Sequence, residues 1–390
     1  PVTVRNDTGK DGTFEVRLTA AGPVGIEGEA ARSVEVKNGA EATTHFDVRT
    51  GDAPGESSFT LEASGNGERT VARGVVPLRA DLPPHTVEVA GSLAERATTF
   101  AVDDAPNFRA DTLRRDLRIG RTPLLRFAGQ LRTVLHYPYG CTEQAISGAF
   151  PLIYLSELAK ELDPKLFNER GDPAIVVQDA IRRTGTTQLE SGGFALWPQS
   201  RELHPWTSVY ATHFLAEARR AGYAVEGFLH DRALEWLAAE AKAKEQYGRD
   251  ELERVVYALY VLSRAGKADT GTLDFVREKH LKELRPDSRA LLAAAYAQAG
   301  NREGLEELLQ GIDDAEVVER QTDYNFASTI RNRALLLLAF LDVAADDPRV
   351  AKLVQRLARD AETTPWWTTQ ESAFALLALG QFFQRQAEKG

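Results

Sequence analysis

The run Ala-Leu-Leu-Leu-Leu-Ala-Phe at positions 334–340 is apolar on most faces of a helix, and it indicates how the larger part of the chain folds. Two further runs have the same character, at positions 290–296 and 373–379. A helix that is apolar all round must be buried on all sides. The segments 227–245 and 348–361 are instead amphipathic and rich in charge, so we expect them to lie outside the buried helices.

Helical patterns with Pro, Gly and Asp punctuation continue from about residue 121 to the end of the chain. Ala265-Gly266 and Ala299-Gly300 close two successive apolar helices, which gives a weak repeat of about 34 residues. Alternating inner and outer helices predict an α/α toroid of about six helical hairpins for residues 121–390. An open solenoid is the alternative, but it would need polar terminal caps. The predicted segments are 123–135, 143–161, 173–188, 206–221, 227–245, 249–265, 269–283, 287–299, 302–311, 325–344, 348–361 and 367–386.

Residues 1–80 have a different sequence pattern, with short runs that alternate between apolar and polar residues. Turn signals such as Asn38-Gly39 separate the runs about every ten residues, which is typical of an antiparallel β-sandwich. Further turn signals lie at 6–9 and 65–67. The predicted strands include 13–18, 33–36, 44–48 and 58–62.

A third segment, residues 81–120, follows Leu82-Pro83-Pro84 and carries β-like patterns near 86–89 and 116–119. At roughly 40 residues it is too short to be stable alone, so we expect it to complete a sheet with chain from elsewhere. The predicted fold class is therefore multidomain α+β, with an all-β sandwich, a short β segment and an all-α toroid.

Composition excludes several classes of function. The formal charge of -10 argues against nucleic acid as a partner, because phosphate binding needs a basic surface. No apolar run approaches the roughly 18 residues of a membrane-spanning helix, so no membrane contact is expected. A single cysteine rules out an internal disulfide, and it also leaves zinc without further Cys ligands. The chain begins at Pro1 within a β-rich pattern, and we interpret it as part of a larger polypeptide.

The single cysteine lies in the stretch Tyr-Pro-Tyr-Gly-Cys-Thr-Glu-Gln at positions 137–144. The spacing suggests a side-chain cross-link, because the Cys141 thiolate can displace ammonia from the Gln144 carboxamide. The product would be an internal thioester in a ring of about fifteen atoms, within reach of one four-residue turn.

The neighbouring residues suit such a site. Cys141 falls near the start of the predicted 143–161 helix, where exposed N–H groups are expected to lower the pKa of its thiol. Gly140 lets the chain turn sharply and Thr142 can cap the helix. Tyr137 and Tyr139 are placed to cover the ring from water. We expect Glu143 to orient the ring or to handle a proton.

Other interpretations of these residues stay open at this point. Cys141 could be a small buried apolar residue with Gln144 on a helix surface. It could also be a catalytic nucleophile paired with a histidine, for which His136 is close in sequence.

The full stretch 137–144 resembles the thioester motif of the bacterial α2-macroglobulin family, which is related to the complement thioester proteins. Gly-Gly-Phe-Ala-Leu-Trp-Pro at 192–198 and His-Pro-Trp-Thr-Ser-Val-Tyr at 204–210 resemble the loop and helix that follow it in the family. Thr-Thr-Gln-Glu-Ser-Ala-Phe-Ala-Leu at 368–376 resembles the last inner helix. Residues 1–80 look like a macroglobulin-like domain, 81–120 like the first part of a CUB domain, and 121–390 like the thioester domain.

The resemblance implies a broad-spectrum protease trap rather than an enzyme that turns over. Cleavage of an exposed bait segment would uncover the thioester, and the acyl group of Gln144 would pass from Cys141 to a lysine or hydroxyl of the protease. The family implies no cofactor, a bacterial periplasmic or cell-envelope location with a possible lipid anchor, and shielding by CUB and C-terminal domains that this chain lacks. In complement relatives a nearby histidine assists acyl transfer, and His204 and His213 are the candidates for that role.

Two alternatives of different class remain. Gln188 through Trp197 resembles the Gln, Gly and Trp repeats of terpenoid cyclases, which share the toroid, but no convincing Asp-rich acid motif accompanies it. A surface adhesion module could carry the same thioester.

Overall fold

A computed structural model describes residues 1–79, 108–109, 112–115, 117, 119, 123–137, 140–162, 164–168, 171–322, 324–364 and 366–389. The chain divides into two compact units, the first containing the strands and the second the helices. The mixture of sheet and helix agrees with the predicted α+β class. No helix within the described ranges has the length and apolar character needed to cross a membrane.

The β unit is built from antiparallel strands in three sheets. Strands β4, β2, β7 and β8 form a four-stranded sheet in that order, while β1 pairs with β5 and β3 with β6. Inward-facing residues at alternate positions meet in a small core of Val4, Phe14, Val16 and Val36. The strands are β1 Val2–Arg5, β2 Gly12–Ala21, β3 Val24–Glu27, β4 Ala31–Val36, β5 Glu41–Thr44, β6 Asp47–Thr50, β7 Gly55–Gly65 and β8 Glu68–Leu78.

Three of the four predicted strand runs lie within β2, β4 and β7, but the predicted strand 44–48 is wrong. Thr44 ends β5, which pairs with β1, and Asp47 begins β6, which pairs with β3. The chain changes sheets between them, so one alternating run serves two strands. The predicted strand at 86–89 lies outside the described residues. Of 116–119 only Leu117 and Ile119 are described, and neither belongs to a strand.

The helical unit follows the predicted segments closely. Its helices are α1 Ala128–Leu135, α2 Thr142–Ala149, α3 Leu152–Leu162, α4 Pro173–Gly185, α5 Pro205–Arg220, α6 Gly227–Glu240, α7 Arg249–Arg264, α8 Thr270–His280, α9 Pro286–Gln298, α10 Leu305–Leu309, α11 Thr329–Val343, α12 Pro348–Thr363 and α13 Thr369–Lys389. Short 3-10 turns lie at Pro123–Phe127, Pro164–Phe167 and Leu281–Glu283.

Within the described residues, six of these helices pack against one another in a cyclic order. Helix α2 contacts α5, and the contacts continue through α7, α9, α11 and α13 back to α2. The apolar runs at 290–296, 334–340 and 373–379 lie in α9, α11 and α13, and their side chains are almost all buried. Helix α12, by contrast, buries only one face through Val350, Leu353 and Leu357. The predicted division into buried and outer helices is therefore present for these elements.

Two local predictions differ in outcome. The repeat signals are confirmed, because Ala265 and Ala299 cap α7 and α9 and are followed by Gly266 and Gly300 with φ of +70° and +82°. The single helix predicted over 143–161 is wrong, since Phe150 and Pro151 separate α2 from α3. Proline has no N–H and its ring clashes with the preceding turn, which accounts for the break.

Candidate functional site

Cys141 and Gln144 are joined by reciprocal hydrogen bonds at the start of α2. The Gln144 backbone N–H donates to Cys141 Sγ at 3.5 Å, and the Cys141 backbone N–H donates to Gln144 Oε1 at 3.3 Å. Cys141 is the N-cap residue, with φ -67° and ψ 163°, so the pair forms a capping box in which a thiol replaces the usual hydroxyl. The thiol and the carboxamide are therefore held on the same side of one turn.

Cys141 is buried, with 4% of its surface exposed. Burial raises the pKa of its thiol to about 12, and the nearby Glu143 carboxylate adds to the rise. Hydrogen bonds from the Gln144 and Glu143 backbone N–H groups and the charge of Arg183 lower the pKa, but they do not compensate. The prediction that the helix start lowers this pKa is wrong, because desolvation outweighs the helix N–H groups.

Thr142 attaches the start of α2 to the loop 192–198. Its backbone N–H donates to the Leu196 carbonyl at 2.8 Å, and its hydroxyl donates to the Ala195 carbonyl at 2.8 Å. The oxygen of this hydroxyl also lies 3.1 Å from Thr187 Oγ1. The prediction that Thr142 caps α2 is wrong, since Cys141 occupies the cap and Thr142 is the first helical residue. The start of α2 and the loop 192–198 are nevertheless in direct contact through Thr142.

Glu143 points into the buried interface between α2 and α13, where three side chains bind its carboxylate. Ser147 donates to Oε1 at 2.6 Å, Gln370 Nε2 donates to Oε1 at 2.9 Å, and the Thr369 hydroxyl lies 2.9 and 3.0 Å from the two oxygens. Burial raises the pKa of Glu143, and these three donors lower it in part. Sequence reasoning placed 368–376 on an inner helix but did not foresee that Thr369 and Gln370 hold Glu143.

A cleft of about 370 Å³ opens beside Gln144 between α1, α2 and α4. Its lining includes Tyr137, Gly140, Gln144, Ala145, Asp179 and Arg183. Tyr137, predicted to cover the site, is half-buried at this cleft, whereas Tyr139 lies outside the described residues. Arg183 Nη2 donates to the Gly140 carbonyl at 3.3 Å. Nothing in the local sequence around Arg183 indicated this contact, because 43 positions separate it from Gly140.

His204 is the N-cap residue of α5, and its Nδ1 accepts a hydrogen bond from the Thr207 backbone N–H at 3.2 Å. Its ring lies 5.8 Å from that of Phe326. The preceding residue, Leu203, bridges to Ala195 in the loop that binds Thr142. His204 is thus connected to the Cys141 region through this loop.

His213 lies nine residues after His204, within α5, and is buried against the rings of three aromatic side chains. Its Nδ1 lies 2.8 Å from the Tyr257 hydroxyl, and its ring contacts Phe150 edge-on with 4.9 Å between centroids. Burial lowers the pKa of His213 to about 3, so the imidazole is neutral at physiological pH. Its described contacts are with the core of the helical unit.

In the part of the chain that the structure describes, no group of three or more His, Cys, Asp or Glu side chains is arranged to hold a metal ion.

Comparison with known proteins identifies bacterial relatives. No family model matches the chain. It is 27% identical over 409 aligned residues to the alpha-2-macroglobulin of Xylella fastidiosa, an alignment that covers 97% of this chain and 24% of the relative. It is 28% identical over 401 aligned residues to the alpha-2-macroglobulin of Escherichia coli, an alignment that covers 96% of this chain and 24% of the relative. The chain therefore spans about a quarter of the length of the curated relatives it matches.

Solved structures give a consistent result for the fold. Native E. coli alpha-2-macroglobulin, spanning domain MG7 to the C-terminus, superposes with a TM-score of 0.65 at 23% identity and covers 97% of this chain and 62% of that one. Salmonella alpha-2-macroglobulin reacted with methylamine gives a TM-score of 0.65 at 24% identity, and the superposition covers 97% of this chain and 26% of that one. Trypsin-activated E. coli alpha-2-macroglobulin gives a TM-score of 0.54 at 22% identity, and the superposition covers 98% of this chain and 27% of that one. The predicted resemblance is confirmed, and it favours the α2-macroglobulin family over the cyclase alternative.

Proposed function

We propose that this homologue of the bacterial alpha-2-macroglobulins carries an internal thioester between Cys141 Sγ and Gln144 Cδ and acts as the acylating part of a protease trap. The observation that carries the proposal is the reciprocal hydrogen bonding of Cys141 and Gln144 on one turn. Ring formation would join Sγ to Cδ and break the Cδ–Nε2 bond. The nitrogen would leave as ammonia with the thiol proton, so the atoms balance.

The capping geometry supports ring formation in two ways. It brings the nucleophile and the carboxamide together without further loss of chain entropy, which is the main benefit of an intramolecular reaction. It also directs the Cys141 N–H toward the oxygen that would become negative in the tetrahedral intermediate. A helix start therefore supplies both reactants and one oxyanion donor.

Burial of Cys141 suits a bond that must be stored. A thiol with a pKa of about 12 is a poor leaving group, because the thiolate that departs is unstable in that environment. Opening of the site would hydrate the sulfur and bring its pKa back toward the usual value. The thioester would then react faster at the moment when a protease has exposed it.

The use of the site against proteases rests on homology, since the relatives belong to a protease-inhibitor family. Trypsin activates the E. coli relative and methylamine reacts with the Salmonella relative, as the solved structures of those proteins record. By analogy, a protease lysine or hydroxyl would accept the Gln144 acyl group here, in single-turnover chemistry. The rest of the longer protein would shield the site until bait cleavage.

We further propose the domain assignment that this function needs. The cyclic packing of α2, α5, α7, α9, α11 and α13 supports an α/α toroid as thioester domain over 121–390. The antiparallel sheets of the first unit support a macroglobulin-like domain over 1–80, and we assign 81–120 to a CUB domain by resemblance. A periplasmic or cell-envelope location, with or without a lipid anchor, follows from the bacterial relatives by the same analogy.

Intact mass spectrometry of the freshly prepared full-length protein tests the thioester. We expect a mass lower than the encoded mass by one ammonia, no alkylation of Cys141, and the gain of one methylamine on treatment with that amine. Cys141→Ala should abolish the mass loss, the methylamine gain and covalent protease adducts while leaving the fold intact. A full encoded mass together with a freely alkylated Cys141 would refute the proposal.

A further inference from the structure

The guanidinium of Arg183 contacts the peptide group that precedes Cys141. Arg183 Nη2 donates to the Gly140 carbonyl at 3.3 Å from the last turn of α4. The other end of the same peptide group is the Cys141 N–H, which donates to Gln144 Oε1 at 3.3 Å. One planar peptide therefore connects a positive charge on one side to the acyl oxygen of Gln144 on the other.

Hydrogen bonds in such a chain strengthen one another. A cation that binds the carbonyl of a peptide withdraws electron density from it, and the N–H at the other end becomes a better donor. The contact also fixes the orientation of the Gly140–Cys141 peptide plane. Arg183, which belongs to α4, thereby sets the direction of the Cys141 N–H toward Gln144 Oε1.

Gly140 provides the space for this contact. A Cβ atom built on Gly140 would lie 2.5 Å from Arg183 Nη2, closer than any side-chain carbon can approach. Because the obstructing atom is the end of a flexible side chain, a methyl group here would displace the guanidinium rather than the backbone. The glycine immediately before the cysteine is thus required for the arginine to reach its carbonyl.

We propose that Arg183 is a positioning residue for thioester formation and acyl transfer, acting through the Gly140–Cys141 peptide to hold and polarise the donor that binds the Gln144 acyl oxygen. The inference rests on the proposed function. In acyl transfer, an amine nitrogen bonds to Gln144 Cδ and the Cδ–Sγ bond breaks. The bonding pair goes to Sγ. The proton that the amine loses is taken up by this sulfur, so the products are a thiol and an amide. The intermediate places negative charge on Oε1, where the Cys141 N–H meets it.

The test compares Arg183→Gln with Arg183→Lys and Arg182→Gln in the full-length protein. Arg182 is the matched control, because it neighbours Arg183 on α4 and is exposed as Arg183 is, but its guanidinium pairs with Asp179 at 2.5 Å. Direct loss of an oxyanion donor costs about 100-fold or more in rate, so loss of its support is expected to slow methylamine opening by roughly ten-fold. We expect Arg183→Lys to recover part of the rate and Arg182→Gln to match the wild type.

A spectroscopic measurement separates this role from a merely structural one. A weaker hydrogen bond to the acyl oxygen raises the stretching frequency of the thioester carbonyl, which difference infrared spectra of intact and methylamine-opened protein resolve. We expect an upward shift in Arg183→Gln and in Gly140→Ala, and no shift in Arg182→Gln. The double variant of Arg183→Gln and Gly140→Ala should react no more slowly than the slower single variant, because both remove the same contact.

The outcomes distinguish the two proposals. A wild-type protein that never loses ammonia refutes the thioester itself. A wild-type protein with an intact thioester, combined with an Arg183→Gln variant that keeps both the wild-type rate and the wild-type carbonyl frequency, overturns the role of Arg183. If Arg183→Gln fails to fold, Gly140→Ala supplies the same measurements, and a wild-type rate and frequency in that variant overturn the role equally.

Discussion

Gln370 Nε2 on α13 lies 2.9 Å from Glu143 Oε1 on α2, although 227 positions separate the two residues. The contact joins the last helix of the cyclic arrangement to the helix that begins at Cys141. The Trp206 indole N–H donates to Gln370 Oε1 at 3.3 Å and brings α5 into the same network. Glu143, two residues after Cys141, is therefore anchored by contacts that join α2, α13 and α5.

This network predicts different effects for two substitutions of Glu143. Glu143→Ala leaves the Ser147, Thr369 and Gln370 donors without their acceptor, and we expect the free energy of unfolding to fall by about 2 to 3 kcal/mol. Glu143→Gln keeps an acceptor oxygen, and we expect a change below about 1 kcal/mol. Urea denaturation of both variants at neutral pH gives the comparison. Equal losses in the two variants would show that retaining an acceptor oxygen at position 143 does not preserve stability.

The pH dependence of the same variants has a definite sign. Burial raises the pKa of Glu143 in the folded state, so between its unfolded value near 4.5 and the folded value the folded protein binds more protons. The stability that the neutral carboxyl contributes is therefore lost as the pH rises through this window. We expect Glu143→Gln to gain stability relative to the wild type as the pH increases above about 4.5. A constant difference across the pH range would contradict the raised pKa.

The thiol of the ring-opened protein should react slowly with alkylating agents. Its pKa is raised from 9.0 to about 12, so at pH 8 the thiolate fraction should be about a thousand-fold below that of an ordinary cysteine. We expect the rate of iodoacetamide labelling to rise with pH well beyond 9 in the folded protein but to level off near that pH in urea. Glu143→Gln is the informative variant, because removal of the carboxylate should lower the folded pKa in part. Labelling of folded protein at the rate of the urea-unfolded protein would refute the raised pKa.

Sequence patterns predicted the helical unit more accurately than the details of the site. Residues such as Leu336 and Leu337 lie in runs apolar on every face, and such runs can only be buried helices, so their placement follows from burial alone. The pKa of Cys141 was predicted with the wrong sign because desolvation depends on what covers the thiol in three dimensions. The contact between Arg183 and Gly140 could not be predicted, because the partner of the guanidinium is a backbone carbonyl. Every residue has such a carbonyl, so the residue types do not indicate which one the arginine binds. The break at Pro151 was readable in principle, but the apolar periodicity continues across it.

His213 offers a test of how the core of the helical unit responds to acid. Its pKa is lowered to about 3 by burial, so the unfolded state binds more protons between about pH 3 and pH 6.5. Stability associated with the neutral imidazole is fully present above pH 6.5 and is lost as the pH falls toward 3. We expect the unfolding free energy of the wild type, measured relative to that of His213→Phe, to decrease as the pH falls from 6.5 to 3. An imidazole that titrates near pH 6 in NMR spectra of the folded protein would contradict the prediction.

Arg264 on α7 lies in a buried ionic cluster that joins α5, α7 and α11. Its Nε donates to Glu217 Oε1 at 2.7 Å and its Nη1 donates to Asp342 Oδ2 at 2.5 Å, and all three side chains are at most 2% exposed. Although burial raises the pKa of Glu217, the guanidinium brings it down to about 2, so the Glu217 carboxylate is charged at neutral pH.

Replacement of Arg264 by methionine would remove the one cation that both buried carboxylates share, leaving Arg220 on Glu217 and Arg385 on Asp342. We expect Arg264→Met to lower the free energy of unfolding by about 3 to 5 kcal/mol, the usual cost of breaking a buried ion pair on one side. Arg182→Gln breaks an ion pair of the same 2.5 Å length that is 71% and 47% exposed, and it should cost less than about 1 kcal/mol. Chemical denaturation of the two variants decides the matter. If they lose similar amounts of stability, the remaining ion pairs with Arg220 and Arg385 are sufficient for the two carboxylates, or the carboxylates take up protons when Arg264 is removed.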